Sequence, residues 1–425
     1  MNMLQRLYYF FGPYTDKSER HVGKFFASVT EKQSPHSLEK RLVSLIQHDL
    51  AQVNLWTERQ YKGYHYLTKR ERRRLYENLQ AIHDDFQAFI STQHSSLDEV
   101  LSRIRRTGAD TVRVRDFSDQ LMYIAAIQAY LSPARGRYLY RASSSFGRLL
   151  RDPRQEILEG DCNQIVTLYI SLYALRYPVT DLQLMVYPGH VALHFQGVDI
   201  ETTNGTFAHY ASRKDVTYVP IHEIVSINLL DTTDTNFQRS LVNPEVLLQS
   251  ARLAYVVSSH RQIVKKNLEA AYQQTVQSLL RNHDYKKALT YARQSSSFEL
   301  LELVSHNGAV FYIHQHDYQK ARNFAHYSSK KQQLGRSIDQ SEAAYLYNAH
   351  RYGEALKVYE RLGDRDMTKQ TYRALYAEAQ TQLRGVKTVD QLKPHAGTIR
   401  TMERYAKASG DSELLRHVQS LVKHL

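Results

Sequence analysis

The sequence predicts an α+β protein in three parts: a helical N-terminal region over residues 1–135, a helix packed on an antiparallel sheet over 136–243, and α-helical repeats over 244–425. Three observations lead there. Apolar residues recur at helical spacing from about residue 35 to 150, strand-like alternation is confined to about 181–201, and a tyrosine-centred motif recurs at a fixed interval near the C-terminus.

In the first part, Leu38, Leu42, Leu45, Ile46, Leu50 and Val53 trace one apolar stripe, and Leu75, Leu79, Ile82, Phe86 and Phe89 trace another, as on helices that bury one face. Ser96-Leu97-Asp98-Glu99 has the form of a capping box ahead of Val100, Leu101 and Ile104. Leu121, Ile124, Ala125 and Leu131 predict one more helix before Ser132-Pro133. Two placements stay open for these helices: an outer layer on the middle part, or a separate bundle. The basic run Lys69-Arg70-Glu71-Arg72-Arg73-Arg74 spreads around a helix circumference and is expected to be its solvated start.

The middle part holds Cys162, the only cysteine in 425 residues. It sits in Glu159-Gly160-Asp161-Cys162-Asn163-Gln164, where a turn gives way to the helical run Ile165, Leu168, Tyr169, Leu172, Leu175. A thiol at a helix start gains from the positive dipole end and from unpaired N–H groups, both of which favour the thiolate. Downstream, Asp181 to Tyr187 alternates polar and apolar residues, Pro188-Gly189 breaks the pattern, and Val191, Leu193 and Phe195 resume it. His190, Ala192 and His194 then share the opposite face. Gln196-Gly197 reads as a tight hairpin turn into 198–201, where Asp199 and Glu201 share a face.

Cysteine, histidine and carboxylate thus follow one another in chain order, and a helix carrying the first packs on a sheet carrying the other two. An imidazole can take the thiol proton, and a carboxylate on its far nitrogen fixes the tautomer and steadies the imidazolium. His190 and either Asp199 or Glu201 supply those groups. The His190/His194 spacing also suggests a metal pair, but it lies on a strand pattern with no second cysteine or third histidine nearby, so neither metal nor cofactor is expected.

Over roughly residues 145–215, Gly160-Asp161-Cys162, Pro188-Gly189-His190 and Glu201-Thr202-Thr203-Asn204-Gly205 resemble the transglutaminase-like branch of the papain-type cysteine hydrolases. That resemblance implies a Cys-His-acid triad, with Glu201 ahead of Asp199 as third member where the family usually has Asp. It also has Asn163 where tissue-type transglutaminases have Trp after the nucleophile, which argues against cross-linking and for hydrolysis of an amide or ester.

Past Asn243-Pro244, strand-like stretches vanish. His283-Asp284-Tyr285-Lys286-Lys287-Ala288 recurs as His316-Asp317-Tyr318-Gln319-Lys320-Ala321 and as His350-Arg351-Tyr352-Gly353-Glu354-Ala355, with the tyrosines 33 and 34 residues apart. This resembles a degenerate tetratricopeptide array of about three repeats, with 386–425 as capping helices. The alanines of the motif, and Ala309 and Ala343 before it, are expected to let helices approach closely, with Val276 the weaker fit in the first repeat. Stacked helical pairs suit a peptide or protein partner.

Composition sets the limits. Hydrophobic residues at 42% and charged residues at 23% mark a globular chain. A single cysteine rules out internal disulfides, Met1 to Phe11 is too short an apolar stretch for a signal peptide, and no long apolar run appears, so a soluble cytoplasmic protein with no membrane partner is expected. The net charge of +13 attracts anionic surfaces in general, but no nucleic-acid motif accompanies it, and specific nucleic-acid binding is not expected. Phosphate-binding loops and dinucleotide fingerprints are missing. Two functions fit: a cysteine hydrolase acting on an amide of a protein or peptide recruited by the repeats, or a binding scaffold that keeps the fold without the chemistry.

Overall fold

The structure is a computed structural model and describes residues 12–30, 33–93, 95–142, 145–210, 213–231 and 243–425. The stretch Met1 to Phe11, weighed above as a leader, lies outside the described residues. The chain divides into two compact units, residues 1–274 and 275–425.

The first unit opens with helices α1 (Lys17–Ser28), α2 (Pro35–Gln60), α3 (Lys69–Thr92), α4 (Leu97–Arg105), α5 (Val112–Arg115) and α6 (Ser118–Tyr130). The predicted stripes are their buried faces, and the predicted capping box is present at Ser96 and Glu99. A short parallel pair follows, β1 (Tyr138–Tyr140) with β2 (Leu158–Gly160), interrupted by the single-turn α7 (Phe146–Leu149). Then come α8 (Cys162–Tyr173), β3 (Gln183–Tyr187), β4 (His190–Phe195), β5 (Val198–Glu201), β6 (Thr206–Ala208), β7 (Thr217–Pro220), α9 (Glu223–Leu230), α10 (Pro244–Val257) and α11 (Arg261–Arg281). The five later strands form one antiparallel sheet in the order β6-β5-β4-β3-β7. Its tight turns use left-handed backbone where expected, at Gly189 (φ 78°) and at Gln196-Gly197 (φ 48° and 91°).

Helix α8 is the centre of this unit. Of its 12 residues, all but Asn163 are buried. It packs on β4 and on α2, α6 and α9. Helical residues of the N-terminal region and strand residues therefore share one continuous core, from Val22 through Leu50, Ile124, Leu168 and Leu193 to Val257. That selects the outer-layer placement and leaves no core for a separate bundle at 1–135. Polar ties reinforce it: the Gln47 amide donates to the carbonyls of Ala174 and Tyr177 (both 3.2 Å) and accepts from the Val179 N–H (2.7 Å). Leu175, expected on the buried stripe, lies past the helix end and is 43% exposed.

The core also extends beyond 243. Leu253, Ala254, Val256 and Val257 of α10 belong to it, and the Glu223 carboxylate accepts from the Ser259 N–H (2.6 Å) and hydroxyl (2.7 Å). The first compact unit therefore reaches 274, some way past the 243/244 boundary expected from the loss of strand pattern.

The basic run is not uniformly solvated. Arg72 is 3% exposed and grips the fully buried Glu19 with Nε to Oε1 at 2.6 Å and a terminal nitrogen to Oε2 at 3.1 Å. The Tyr76 hydroxyl (2.8 Å) and the Thr15 N–H (2.6 Å) donate to the same carboxylate. The partner lies 53 residues upstream, so no local pattern signals it.

The second unit consists of α12 (Tyr285–Gln294), α13 (Phe298–His314), α14 (Tyr318–Ala325), α15 (Lys331–Asn348), α16 (Tyr352–Leu362), α17 (Arg365–Thr381), α18 (Val389–Leu392), α19 (Ala396–Ser409) and α20 (Ser412–Val422), with the C-terminal end of α11. The recurring His-Asp/Arg-Tyr motif is a turn between helices. His283, His316 and His350 all adopt left-handed backbone (φ 58°, 57° and 60°), and the next N–H closes back to the carbonyls of Leu279, Tyr312 and Leu346, each at 2.9 Å. Asp284 and Asp317 then cap the following helix by accepting from Lys287 and Lys320 (both 3.1 Å). Ala288, Ala321 and Ala355 have no exposed surface, nor do Val276, Ala309 and Ala343, so valine is accommodated in the first repeat. The His283 and His316 rings stack on Phe311 and Tyr345 of the next helical pair, at 5.4 and 4.3 Å between centroids.

Removing one partner of a buried ion pair strands the other charge, which typically costs about 3–5 kcal/mol. Glu19→Ala is therefore expected to lower the urea midpoint of the first unit by a corresponding amount, whereas Glu71→Ala, which only loses an exposed pair with Arg74, shifts it little.

Candidate active site

Helix α8 begins at the thiol because Asp161 stops the chain from entering a helix any earlier. Asp161 is the N-cap: its Oδ1 accepts from the N–H groups of Asn163 (2.9 Å) and Gln164 (3.4 Å), and Gln164 Oε1 accepts from the Asp161 N–H (3.0 Å). This reciprocal box fixes the first turn, and Gln164 Nε2 carries it on to Asp231 (3.3 Å). With Asn163 and Gln164 engaged by the cap, the Cys162 N–H is the first-turn donor with no acceptor among the described residues. Cys162 itself is 8% exposed and lines a cleft.

The Pro188-Gly189 turn places His190 at the first position of β4, paired with Tyr187 in β3. The imidazole is hydrogen-bonded through Nε2 to both oxygens of Glu201 at 3.1 and 2.9 Å, and Cys162 lies near enough to influence its charge. Nε2 faces the carboxylate, so Nδ1 is the nitrogen left for sulfur. Tyr187 packs on the ring at 4.9 Å between centroids, and the Arg213 guanidinium covers Tyr187 at 4.1 Å.

Register decides which acid serves His190. In the β4–β5 pair, His194 lies directly opposite Asp199 and Leu193 opposite Ile200. Continued by one step, this sets Glu201 across from Ala192, a residue too small to fill the space, and Glu201 reaches diagonally to His190. The extra methylene of glutamate suits that reach. Asp199, the other candidate, is committed elsewhere: it pairs with His194 Nδ1 at 2.8 Å and accepts from the Tyr210 N–H at 2.7 Å. The Gly197 N–H donates to His194 Nε2 (3.2 Å), so both nitrogens of His194 are occupied in holding the hairpin. Asp199 therefore serves His194 and not His190, and no group of three or more metal-ligating side chains occurs among the described residues.

Sequence reasoning did not single out the groups that support Glu201. The Thr203 hydroxyl donates to Oε1 at 2.7 Å, with its N–H at 3.4 Å, and the Tyr210 hydroxyl donates to Oε2 at 3.2 Å. Thr203 lies in the quoted acid-Thr-x-Gly segment and was within reach of a sequence argument. Tyr210, arriving from beyond β6, was not.

The electrostatics follow from these contacts. Burial opposes charge on His190, but the nearby Cys162 and the hydrogen-bonded Glu201 carboxylate outweigh that and raise its pKa to about 9. Burial works against Glu201 as an anion too, yet hydrogen bonds from His190 and Thr203 hold it below the ordinary carboxyl range. The pair is thus kept as imidazolium and carboxylate around neutral pH.

The cleft has a volume of about 740 Å³ and runs from Cys162 and His190 along β3 and β7 to α9 and the first turns of α11. Another cavity of about 510 Å³ lies in the helical unit between α17 and α20 and has neither cysteine nor serine in its described lining. No family model matches this sequence, and no curated protein matches it. The reading of the site rests on its own chemistry.

An unfolded histidine titrates near 6.5, so the raised value of His190 stabilises the fold fully below that pH, and the contribution fades as pH rises toward about 9. The lowered value of Glu201 acts on the other flank, where its contribution is complete above the ordinary carboxyl range and is lost as pH falls through the folded value. By NMR, His190 is expected to titrate near 9 in the wild type and markedly lower in Glu201→Gln. Urea midpoints measured from pH 2 to 10 should show both flanks flattened in that variant.

Proposed function

We propose that the chain is a transglutaminase-like cysteine hydrolase that cleaves or deamidates an amide of a protein or peptide. The observation that carries this reading is the placing of Cys162, at the start of α8, and of the hydrogen-bonded His190–Glu201 pair on the wall of one open cleft. Each link answers a need of the reaction. With the proton held on His190, the Cys162 sulfur attacks the substrate carbonyl as the thiolate; the imidazolium then protonates the departing amine or ammonia, leaving a thioester on Cys162. Neutral His190 next takes a proton from water as the water attacks the thioester, and collapse of the intermediate releases the carboxylic acid and returns sulfur and imidazolium to their starting state. The Cys162 N–H at the helix start is positioned to stabilise the oxyanion in both halves.

The helical unit is read as a degenerate tetratricopeptide array that recruits the substrate or a partner, on the strength of its 33- and 34-residue turns and fully buried alanines. A reducing compartment such as the cytoplasm suits a lone thiol kept free for chemistry. Among the described residues no helix is long and apolar enough to cross a membrane. The competing scaffold reading drew on Glu201 in place of Asp and Asn163 in place of Trp. Diagonal pairing to His190 accommodates the first change, and hydrolysis does not need the second residue.

Alkylation of Cys162 by iodoacetamide, followed by mass spectrometry, tests the reading. Wild type is expected to react readily at pH 6–7, and His190→Ala to slow by roughly 100-fold or more, the scale of a positioned acid–base partner. An ordinary thiol profile, unaffected by the substitution, would move the assignment to the scaffold. Cys162→Ala should abolish turnover of any substrate found.

A further inference from the structure

The cleft is much larger than the triad needs, and its composition narrows what enters. Apart from Cys162 and His190, its apolar wall is built by Val219 of β7, Ile227 and Leu230 of α9, and Ile263 and Val264 of α11. Ile263 is 57% exposed, and Tyr140, also in the lining, is 56% exposed. Large apolar side chains left in water beside a candidate nucleophile mark surface that a ligand would cover.

The carboxylates of the lining are already engaged by the protein. Asp161 caps α8, Asp215 pairs with Arg213 at 2.8 Å, Glu223 accepts from Ser226 (2.6 Å) and the Ser259 N–H (2.6 Å), and Asp231 accepts from Gln164. Among the described residues no lysine or arginine lines the cleft, although the chain as a whole carries a net charge of +13. The apolar wall is thus the surface free to make new contacts, and the carboxylates around it set a negative potential that disfavours an anionic ligand.

Resting on the hydrolase reading above, we infer that the substrate is a peptide segment with a bulky aliphatic or aromatic side chain next to the scissile amide. Ile227, Leu230 and Ile263 are the specificity-determining residues, and segments with an acidic residue at that position are rejected. Adding methylenes to a side chain that fills such a wall changes rates by about tenfold or more.

The test uses the full chain and thiol-directed peptidyl acyloxymethyl ketones that differ only in the residue beside the ketone: leucine, phenylalanine, alanine or glutamate. Second-order rates of Cys162 modification are read by intact-mass spectrometry, and each is divided by the same protein's iodoacetamide rate. The expected order is leucine and phenylalanine about tenfold or more above alanine, with glutamate below alanine. Ile263→Asn, at an exposed position outside the core, should cut the leucine-to-alanine ratio at least threefold. Equal rates across the series, a glutamate preference, or a ratio unmoved by Ile263→Asn overturns the inference. The hydrolase reading fails separately, through an iodoacetamide rate indifferent to His190→Ala, and in that event the leucine-to-alanine ratio alone still decides whether the wall selects apolar peptide.

Discussion

The complete burial of helix α8 is the constraint on which the first unit depends. A helix with apolar residues on every side has no solvent face, so it requires cover all round, and the chain supplies it from four directions: the sheet through β4, and α2, α6 and α9. This is why the N-terminal helices cannot be a separate bundle; α10 joins the same core by packing on two of those covering helices, α9 and α2. It also fixes the thiol. A helix held on all faces can neither slide nor rotate, so the sulfur at its first position is set against β4 to the accuracy of core packing, which a nucleophile presented on a loop would not achieve.

The second requirement is that a buried carboxylate be satisfied. Glu201 is 6% exposed, and an anion there would neutralise itself without donors. His190, Thr203 and Tyr210 between them provide these, from the neighbouring strand, the following turn and the loop beyond β6. Thr203 and Tyr210 thus act on the imidazole at one remove, because whatever keeps Glu201 ionised also keeps the proton on His190. The Arg72–Glu19 pair solves the same problem far from the cleft, with Tyr76 and the Thr15 N–H completing the shell.

What was legible in the sequence was local. The stripes of α2 and α3, the Ser96 box, the Pro-Gly and Gln-Gly turns and the repeat of His-x-Tyr each express a period or a turn chemistry contained within a few residues. The choice between Asp199 and Glu201 was not local: both lie on one face of β5, and only the pairing offset with β4 distinguishes a direct neighbour from a diagonal one. Arg72 looked like its basic neighbours because its partner is a helix away. The parallel pair at 138–140 and 158–160 is too short to display alternation, and the end of the first unit was missed because α10 has the same helical pattern as the repeats that follow, although it packs elsewhere. The left-handed histidines also lay beyond the motif itself: their positions were plain, but backbone that usually calls for glycine gave no sign in a conserved-looking His-x-Tyr spacing.

A last consequence concerns oxidation. Cys162 is the only sulfur nucleophile in the 425 residues, so a peroxide that converts it to sulfenic acid meets no second cysteine in the chain to capture it as a disulfide. Recovery would then depend on an external thiol small enough to enter the cleft. The hydrolase proposed above would be silenced by a single two-electron event and reset only by the reductant around it, so its working state would follow the redox poise of its surroundings.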